Sequence, residues 1–201
     1  MKRPQRTQAD RTAATRTALI EAGRTLFAMH GFAGVGTETL VRKAGVSRGA
    51  LYHQFGDKTG LFADVLAEIE SEVARNLAAV MLAGDQNDFV AAMMRAVDAW
   101  LDACESPQVQ RIVLIDGPSV LGWARWREIC QLHILGLIEA VLAKGVEDGK
   151  LHPLPAKPLA HILLAIADEA ALYVHTGRDR IAARAEVVQI FEPLIRALVK
   201  P

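Results

Sequence analysis

The side chains that could carry catalysis or bind a metal are present in this chain, but not at the spacings such chemistry needs. Six His are scattered with no ligand spacing. Cys104 and Cys130 match no metal motif and read as small buried hydrophobes in a reducing compartment. Ser47, His53 and Asp57 are triad residue types, yet Ser47 is better placed to cap a helix, and nothing nearby forms an oxyanion hole. The stretch from Gly31 to Thr37 is glycine-rich, but no strand precedes it and no Lys stands where a phosphate loop needs one. No two carboxylates stand out as acid and base. The expectation is a protein that is not an enzyme and carries no metal or cofactor.

The spacing that does fit a chemistry lies between Thr37 and Phe55. Two short helical patterns flank Gly45-Val46-Ser47. Gly45 lets the chain reverse, Val46 plugs the angle between the helices, and Ser47 caps the second. Leu40, Ala44, Val46, Leu51 and Phe55 fall on the inner side, which leaves Arg48, Gly49, Tyr52 and His53 outward. That is the pattern of a helix-turn-helix, whose second helix enters a major groove. Arg48 in its first turn can fork onto guanine O6/N7 or a phosphate. Gly49 lets the backbone approach closely, while Tyr52 and His53 can reach phosphate, sugar or a thymine methyl. Thr37 and Thr39, with Ser47, offer hydroxyls near helix N-termini, which are natural phosphate seats. Lys58 is placed to clamp the backbone from the other side. Taken singly, each residue reads equally as a solvated cation, a cap or half-buried packing; it is their conjunction that points to a duplex.

Charge agrees with this. Residues 1–60 carry ten Lys/Arg against four Asp/Glu, so the remainder carries thirteen against nineteen in a chain of zero net charge. A basic head on an acidic body puts the polyanion contact on the head alone, where counterion release favours binding.

The elements that must hold these residues read as helices throughout. Residues 1–10 are a polar, basic arm expected to be flexible. Leu19, Ile20, Gly23, Leu26 and Phe27 share one face of a helix over residues 11–30, which Gly31 stops. Thr37 and Ser47 are the expected N-caps of the next two helices, and Asp57 caps a fourth along Leu61, Phe62, Val65, Leu66, Ile69, Val73 and Leu77. Beyond a break at residues 83–85, helices are expected over 88–105, 106–116 with Ser106 as cap, 118–148 as one long element, 157–176 and 179–199. His152-Pro153-Leu154-Pro155 reads as a stiff linker, and Pro193 should bend or shorten the last helix. About nine helices and no convincing strand make the fold all-α. Its expected divisions are 1–10, a helix-turn-helix domain 11–56 with the motif near 37–55, a connecting helix 57–82, and a body over 83–201. No apolar run follows Met1-Lys2-Arg3, and the longest, residues 162–167, is too short for a bilayer. A cytoplasmic protein with no membrane partner is expected.

Residues 11–66 resemble the N-terminal domain of the tetracycline-repressor (TetR) family of bacterial regulators. The likeness rests on Leu26-Phe27-Ala28-Met29-His30-Gly31-Phe32, on Thr37, Leu40, Ala44-Gly45-Val46-Ser47, Gly49, Leu51-Tyr52 and Phe55, and on Lys58 with Leu61-Phe62. His53 stands one place away from where the family often carries its aromatic or His. The resemblance implies a three-helix DNA-binding domain joined by the fourth helix to a body that binds a small effector. It also implies a homodimer formed through the last two helices on a palindromic double-stranded DNA operator. The apolar faces of those two helices (Leu159, Ile162, Leu163, Ile166 and Ala170; Val187, Val188, Phe191, Leu194 and Ile195) are wide enough for a core and an outer surface. Most of the aromatic and soft residues lie between 85 and 148, so Met93, Trp100, Trp123, Trp126 and His133 are the expected contacts of a small hydrophobic or aromatic effector. Arg125 and Arg127, among Trp123 and Trp126, offer a cation–π partner. His161 and Asp168, seven apart on one helix, could both face such a pocket, although a satisfied core histidine is the commoner case. The competing reading is a helical carrier or scaffold that binds a small molecule but no DNA. The basic head argues against it.

Overall fold

The computed structural model describes residues 7–83, 85 and 88–200. Among them are ten α-helices, one π-helical segment and no strand beyond a single antiparallel bridge between Leu151 and Val199.

The head is built on α1 (Gln8–His30), α2 (Thr37–Ala44) and α3 (Arg48–Phe55). α1 begins earlier than its apolar face requires, because Thr7 and Asp10 form a capping box. Asp10 N–H donates to Thr7 Oγ1 at 3.2 Å, and Thr7 N–H to Asp10 Oδ2 at 2.9 Å. The arm expected over residues 1–10 therefore gives way to helix at Gln8, and its first six residues lie outside the described ones. Gly31 (φ 68°) ends α1. The N-cap of α2 is Gly36, not Thr37, and no side chain caps that end. Gly45 turns the chain in the left-handed region (φ 67°, ψ 31°), as the reversal requires. Ser47 caps α3 by accepting Ala50 N–H at 3.2 Å.

α4 (Lys58–Leu82) starts at Asp57, whose carboxylate accepts Gly60 N–H at 2.7 Å, and it is the shared wall of both halves. Its first turns bury Leu61, Phe62 and Val65 against Leu19, Ile20 and Phe27 of α1, with Leu40 and Leu51 completing the head core. Phe27, Phe32 and Phe62 close a ring triangle with centroids 5.3–5.9 Å apart, two of the pairs edge-on. The later turns of α4 pack along α5 (Phe89–Cys104).

Beyond α5 the chain departs from the expected layout. Ser106 caps as expected, accepting Gln108 N–H at 3.3 Å. Val109–Asp116 is π-helical and runs without a break into α6 (Gly117–Leu121), so Gly117-Pro118 does not separate two helices. Pro118 falls in the first turn of α6, where its missing N–H matters least. The break comes at Gly122 (φ 74°). The single helix expected over 118–148 is instead α6, α7 (Trp123–Leu132) and α8 (Ile134–Glu147), with His133 at the second corner. Close approach explains the early fold-back. A Cβ on Gly117 would sit 2.9 Å from both Leu66 Cδ1 and Trp126 Cδ1, so only glycine lets α6 press against α4 and α7.

α9 (Ala156–Thr176) and α10 (Arg180–Arg196) close the body. Asp179 caps α10 through Ile181 and Ala182 N–H, and α10 ends three residues after Pro193, short of the expected 199. His152 N–H donates to Leu198 O and Lys200 N–H to Lys150 O, both at 2.9 Å, which ties the tail to the linker.

Gly117→Val should destabilise the protein by about 1–3 kcal/mol through overpacking at α6. Urea unfolding followed by circular dichroism measures it; an unchanged midpoint would contradict the tight α4–α6–α7 approach.

Candidate nucleic-acid interface and effector cavity

The helix-turn-helix is held by its inner face. Leu40 and Leu51 are fully buried, Val41 is buried, and Ala44, Val46 and Phe55 are half-buried against the same core. Val46 N–H donates to Val41 O at 3.0 Å, which fixes the turn. With Leu51 inward, Arg48, Gly49, Tyr52 and His53 are exposed together on α3. Arg48 Nη2 donates to Tyr52 Oη at 3.1 Å, and its guanidinium lies 5.5 Å from the Tyr52 ring centroid. Arg48 Nη1 also reaches Glu38 Oε1 at 3.2 Å. Nothing in the spacing marks Glu38 as a member of this face, because α2 and α3 meet only in three dimensions. A phosphate arriving there competes with Glu38 for the same fork. Thr37 and Thr39 are half-buried on the first turn of α2, which no side chain caps, and the Thr39 N–H donates to Gly36 O at 3.1 Å. Ser47 keeps its hydroxyl proton for an acceptor, since its oxygen accepts from Ala50.

Lys58 is half-buried and bonded within the protein. Its Nζ donates to Phe32 O and Val35 O at 3.0 Å each and lies 3.9 Å from the Phe32 ring centroid. Two of its three donors are used inside the protein, which makes it a strut under the α1–α2 loop before it is a phosphate clamp. A cation at a helix N-terminus opposes the helix dipole, and that was the one available sign that Lys58 serves something other than its own helix.

The same loop is gripped from the body. Asp116, buried at the end of the π-helical segment, accepts Phe32 N–H at 2.7 Å and pairs with Arg111 Nε at 3.2 Å. Arg24 reinforces the joint, bidentate on Glu72 at 2.5–2.6 Å and donating to Gln108 Oε1 at 2.9 Å.

Within the body, an apolar cavity of about 70 Å³ lies between α4, α5, α8, α9 and α10. Met93 and Trp100 line it as expected, and Trp100 Nε1 donates to Ala167 O at 3.1 Å. The other three expected contacts do not. Trp123 is 65% exposed, Trp126 is buried against Leu66 and Gly117, and His133 sits half-buried at the α7–α8 corner. Burial, and then the Arg75 charge, lower the His133 pKa. Arg127 does make the foreseen cation–π contact, its guanidinium 4.7 and 4.5 Å from the Trp123 and Trp126 centroids. Arg125 makes no such contact among the described residues.

One polar cluster had no signal in the sequence. Glu70, 2% exposed on the otherwise apolar stripe of α4, accepts from Cys130 Sγ at 3.3 Å and from the Ile134 N–H. Glu70 Oε2, Trp126 Nε1 and Arg127 Nε and Nη1 are buried with no hydrogen-bond partner among the described residues. Burial pushes the Glu70 pKa up to about 7, and burial with the Glu70 charge does the same for Asp168, also to about 7. Burial likewise raises both thiols, so Cys104 and Cys130 are protonated and inert. Their reading as buried hydrophobes holds, with Cys130 also serving as a donor.

Comparison with known proteins bears on both halves. Residues 19–65 match the family described as bacterial regulatory proteins, tetR family, and residues 90–198 match the tetracyclin repressor-like C-terminal domain. The HTH-type transcriptional repressor AcnR of Corynebacterium glutamicum is 37% identical over 65 residues, which is 32% of this chain and 35% of AcnR. The chain thus spans about a third of the length of the curated AcnR relatives it matches. A TetR-family regulator from Pectobacterium atrosepticum superposes with a TM-score of 0.77 at 31% identity, covering 98% of this chain and 100% of that one. RolR, solved with resorcinol, superposes with a TM-score of 0.70 over 95% of this chain and 90% of its own, at 18% identity, a likeness of fold alone.

The Glu70 carboxyl holds its proton up to about pH 7 in the folded chain, against a reference value of 4.5. Between those values the folded state binds more protons than the unfolded one, so this group's contribution to stability falls as pH rises through the window. Glu70→Gln removes that loss. The stability of Glu70→Gln minus that of the parent, from urea unfolding, should grow from about pH 5 to about pH 7.5. A difference that stays flat or shrinks would show Glu70 to be ionised and compensated.

Proposed function

The chain belongs to the TetR family of bacterial regulatory proteins, and we propose that it is a homodimeric repressor that binds a palindromic DNA operator and is released by a small effector. The observation that carries the DNA-binding part is the back-to-back arrangement of α3. Leu51 is fully buried on one side, while Arg48 and Tyr52 stand paired and exposed on the other. A short, capped helix with a slim polar face fits a major groove, and an Arg in its first turn reads guanine or grips phosphate. Tyr52 orients the Arg48 fork and adds its own hydroxyl and ring. His53 and the Gly49 backbone approach the duplex beside them, and Thr37, Thr39 and Ser47 take phosphates from the α2 and α3 N-termini. Lys58 contributes chiefly by holding the loop that sets the angle of α2.

A dimer is supported by the outer side of α9 and α10. Ile162, Tyr173, Ile190 and Leu194 are each 41–59% exposed there. Among the described residues α9 alone is long and apolar enough, by length and composition, to cross a membrane, with most of that stretch outside the core. Pairing α9 and α10 with a second copy covers this surface without a bilayer, and its two-fold axis matches a palindrome. An effector in the cavity would act by its differential affinity for two orientations of α4. That RolR binds resorcinol in a body of similar fold supports a small aromatic or hydrophobic effector.

A gel shift on the DNA flanking the gene for this chain tests the reading. Arg48→Ala should weaken binding by about 1–3 kcal/mol with helicity intact, and Tyr52→Ala should weaken it in the same direction. No shift by the parent chain at low salt on any promoter fragment would overturn the repressor reading and favour a carrier. Separately, Ile190→Glu should turn the dimer into a monomer in sedimentation velocity. A monomeric parent, or a variant that stays dimeric, would remove α10 from the interface.

A further inference from the structure

We infer that the buried groups between α4, α7 and α9 are the polar end of the effector site, built to take the hydroxyl of a neutral small molecule whose apolar part occupies the cavity. This rests on the effector-responsive reading above and adds the chemistry of the ligand.

A protein core rarely leaves polar atoms unmatched, because each costs its full desolvation with no bond in return. Here four such atoms belong to three residues of one region: the acceptor Glu70 Oε2 and the donors Trp126 Nε1, Arg127 Nε and Arg127 Nη1. Helix alignment brings the three together. Trp126 and Leu66 both meet at Gly117, while one turn further on each helix Cys130 bonds Glu70, so α7 runs beside α4 with Arg127 next to the carboxylate. The Cys130 thiol and the Ile134 N–H fix Glu70 through the bonds they give it, and the two indole rings fix the Arg127 guanidinium. The groups are held in place yet unsatisfied.

The cluster also adjoins the cavity. Ile134 lines the cavity and gives its N–H to Glu70, and Ala167 lines it immediately before Asp168. Glu70, Trp126 and Arg127 do not line the cavity themselves, so the head of a molecule lying against Trp100 and Met93 would reach them past Ile134 and Ala167.

The inventory of orphaned atoms selects that head. A hydroxyl donates one proton, which Glu70 Oε2 accepts, and its oxygen accepts two, from Trp126 Nε1 and from one of the two Arg127 donors. An ammonium supplies no acceptor for the three donors. A carboxylate offers Glu70 Oε2 no proton and brings a full charge into a buried region. A hydrocarbon leaves all four atoms unmatched.

Four probes on one ring test this with the full-length chain: 4-ethylphenol, ethylbenzene, 4-ethylbenzoate and 4-ethylbenzylamine. Binding is read by tryptophan fluorescence titration and by thermal shift. The phenol should bind about tenfold or more tighter than each of the other three. That preference should vanish in Glu70→Leu and in Arg127→Met, with ethylbenzene binding at its parental affinity or better. Glu70→Leu also frees the Cys130 thiol and the Ile134 N–H, whereas Arg127→Met removes two orphaned donors; if one variant fails to fold, the other carries the test. Equal binding of phenol and ethylbenzene, tighter binding of the acid or the amine, no binding of any probe, or an undiminished phenol preference in the folded variants overturns the inference. A chain that shifts DNA but binds none of the probes defeats this inference alone. One that binds the phenol through Glu70 but never DNA defeats the repressor reading alone.

Discussion

The structure turns on the backbone of one residue, Phe32. The N–H of Phe32 is held by the Asp116 carboxylate from the body, and its C=O by the Lys58 ammonium from the start of α4. Both bonds are charge-assisted and lie beneath partly buried side chains, where such bonds are strongest. The Phe32 ring is meanwhile locked edge-on against Phe62 and tilted against Phe27. The loop between α1 and α2 cannot move without breaking a bond to the body or to α4. The angle at which α2 presents α3 is therefore set by residues more than twenty and more than eighty positions away in the chain.

That constraint explains why the π-helical segment ends where it does. A π-helix carries more residues per turn than an α-helix and shifts the side chains that follow it, which is why such segments gather at functional positions. Here the shift delivers Asp116 to the head and, one residue later, Gly117 to the bare spot where α4 and α7 converge. Adjacent residues thus face the loop of the DNA-binding head and the indole of Trp126. A displacement of Trp126 has a covalent path of one residue to the bond that holds Phe32.

The head was largely legible in the sequence and the body was not, for physical reasons. The reversal at Gly45, the Ser47 cap and the inward Leu40 and Leu51 are decisions made within a few residues, so local pattern fixes them. Arg48 and Tyr52, one turn apart on α3, were readable for the same reason. The internal bonds of Lys58 were not legible because its acceptors, Phe32 O and Val35 O, are carbonyls of a loop that spacing does not place beside it. In the body, Gly117-Pro118 has the composition of a break, yet tertiary packing uses the missing Cβ for a close approach and moves the break to Gly122. Trp123 and Trp126 read alike in composition, but α7 turns one outward and the other inward. Glu70 could be found only in three dimensions. At that position on α4, a charged residue facing the core looks from sequence like an ordinary solvated one.

Glu70 also shows what the body gives up. A leucine there would extend the stripe from Leu61 to Leu77 without interruption and would need no partners. Replacing buried polar groups by apolar ones of similar size is often neutral or stabilising, so a core keeps them at a cost. The cost recurs at Asp168, whose carboxyl is pushed into the same range by burial and by Glu70, and at Arg127, whose donors find only ring faces. These residues gather the polar cost of the core in one region, with Glu70 on the helix that also packs into the head. A well-satisfied core would bind a ligand there with little change in its own energy. An unsatisfied one gains from a ligand the bonds it lacked.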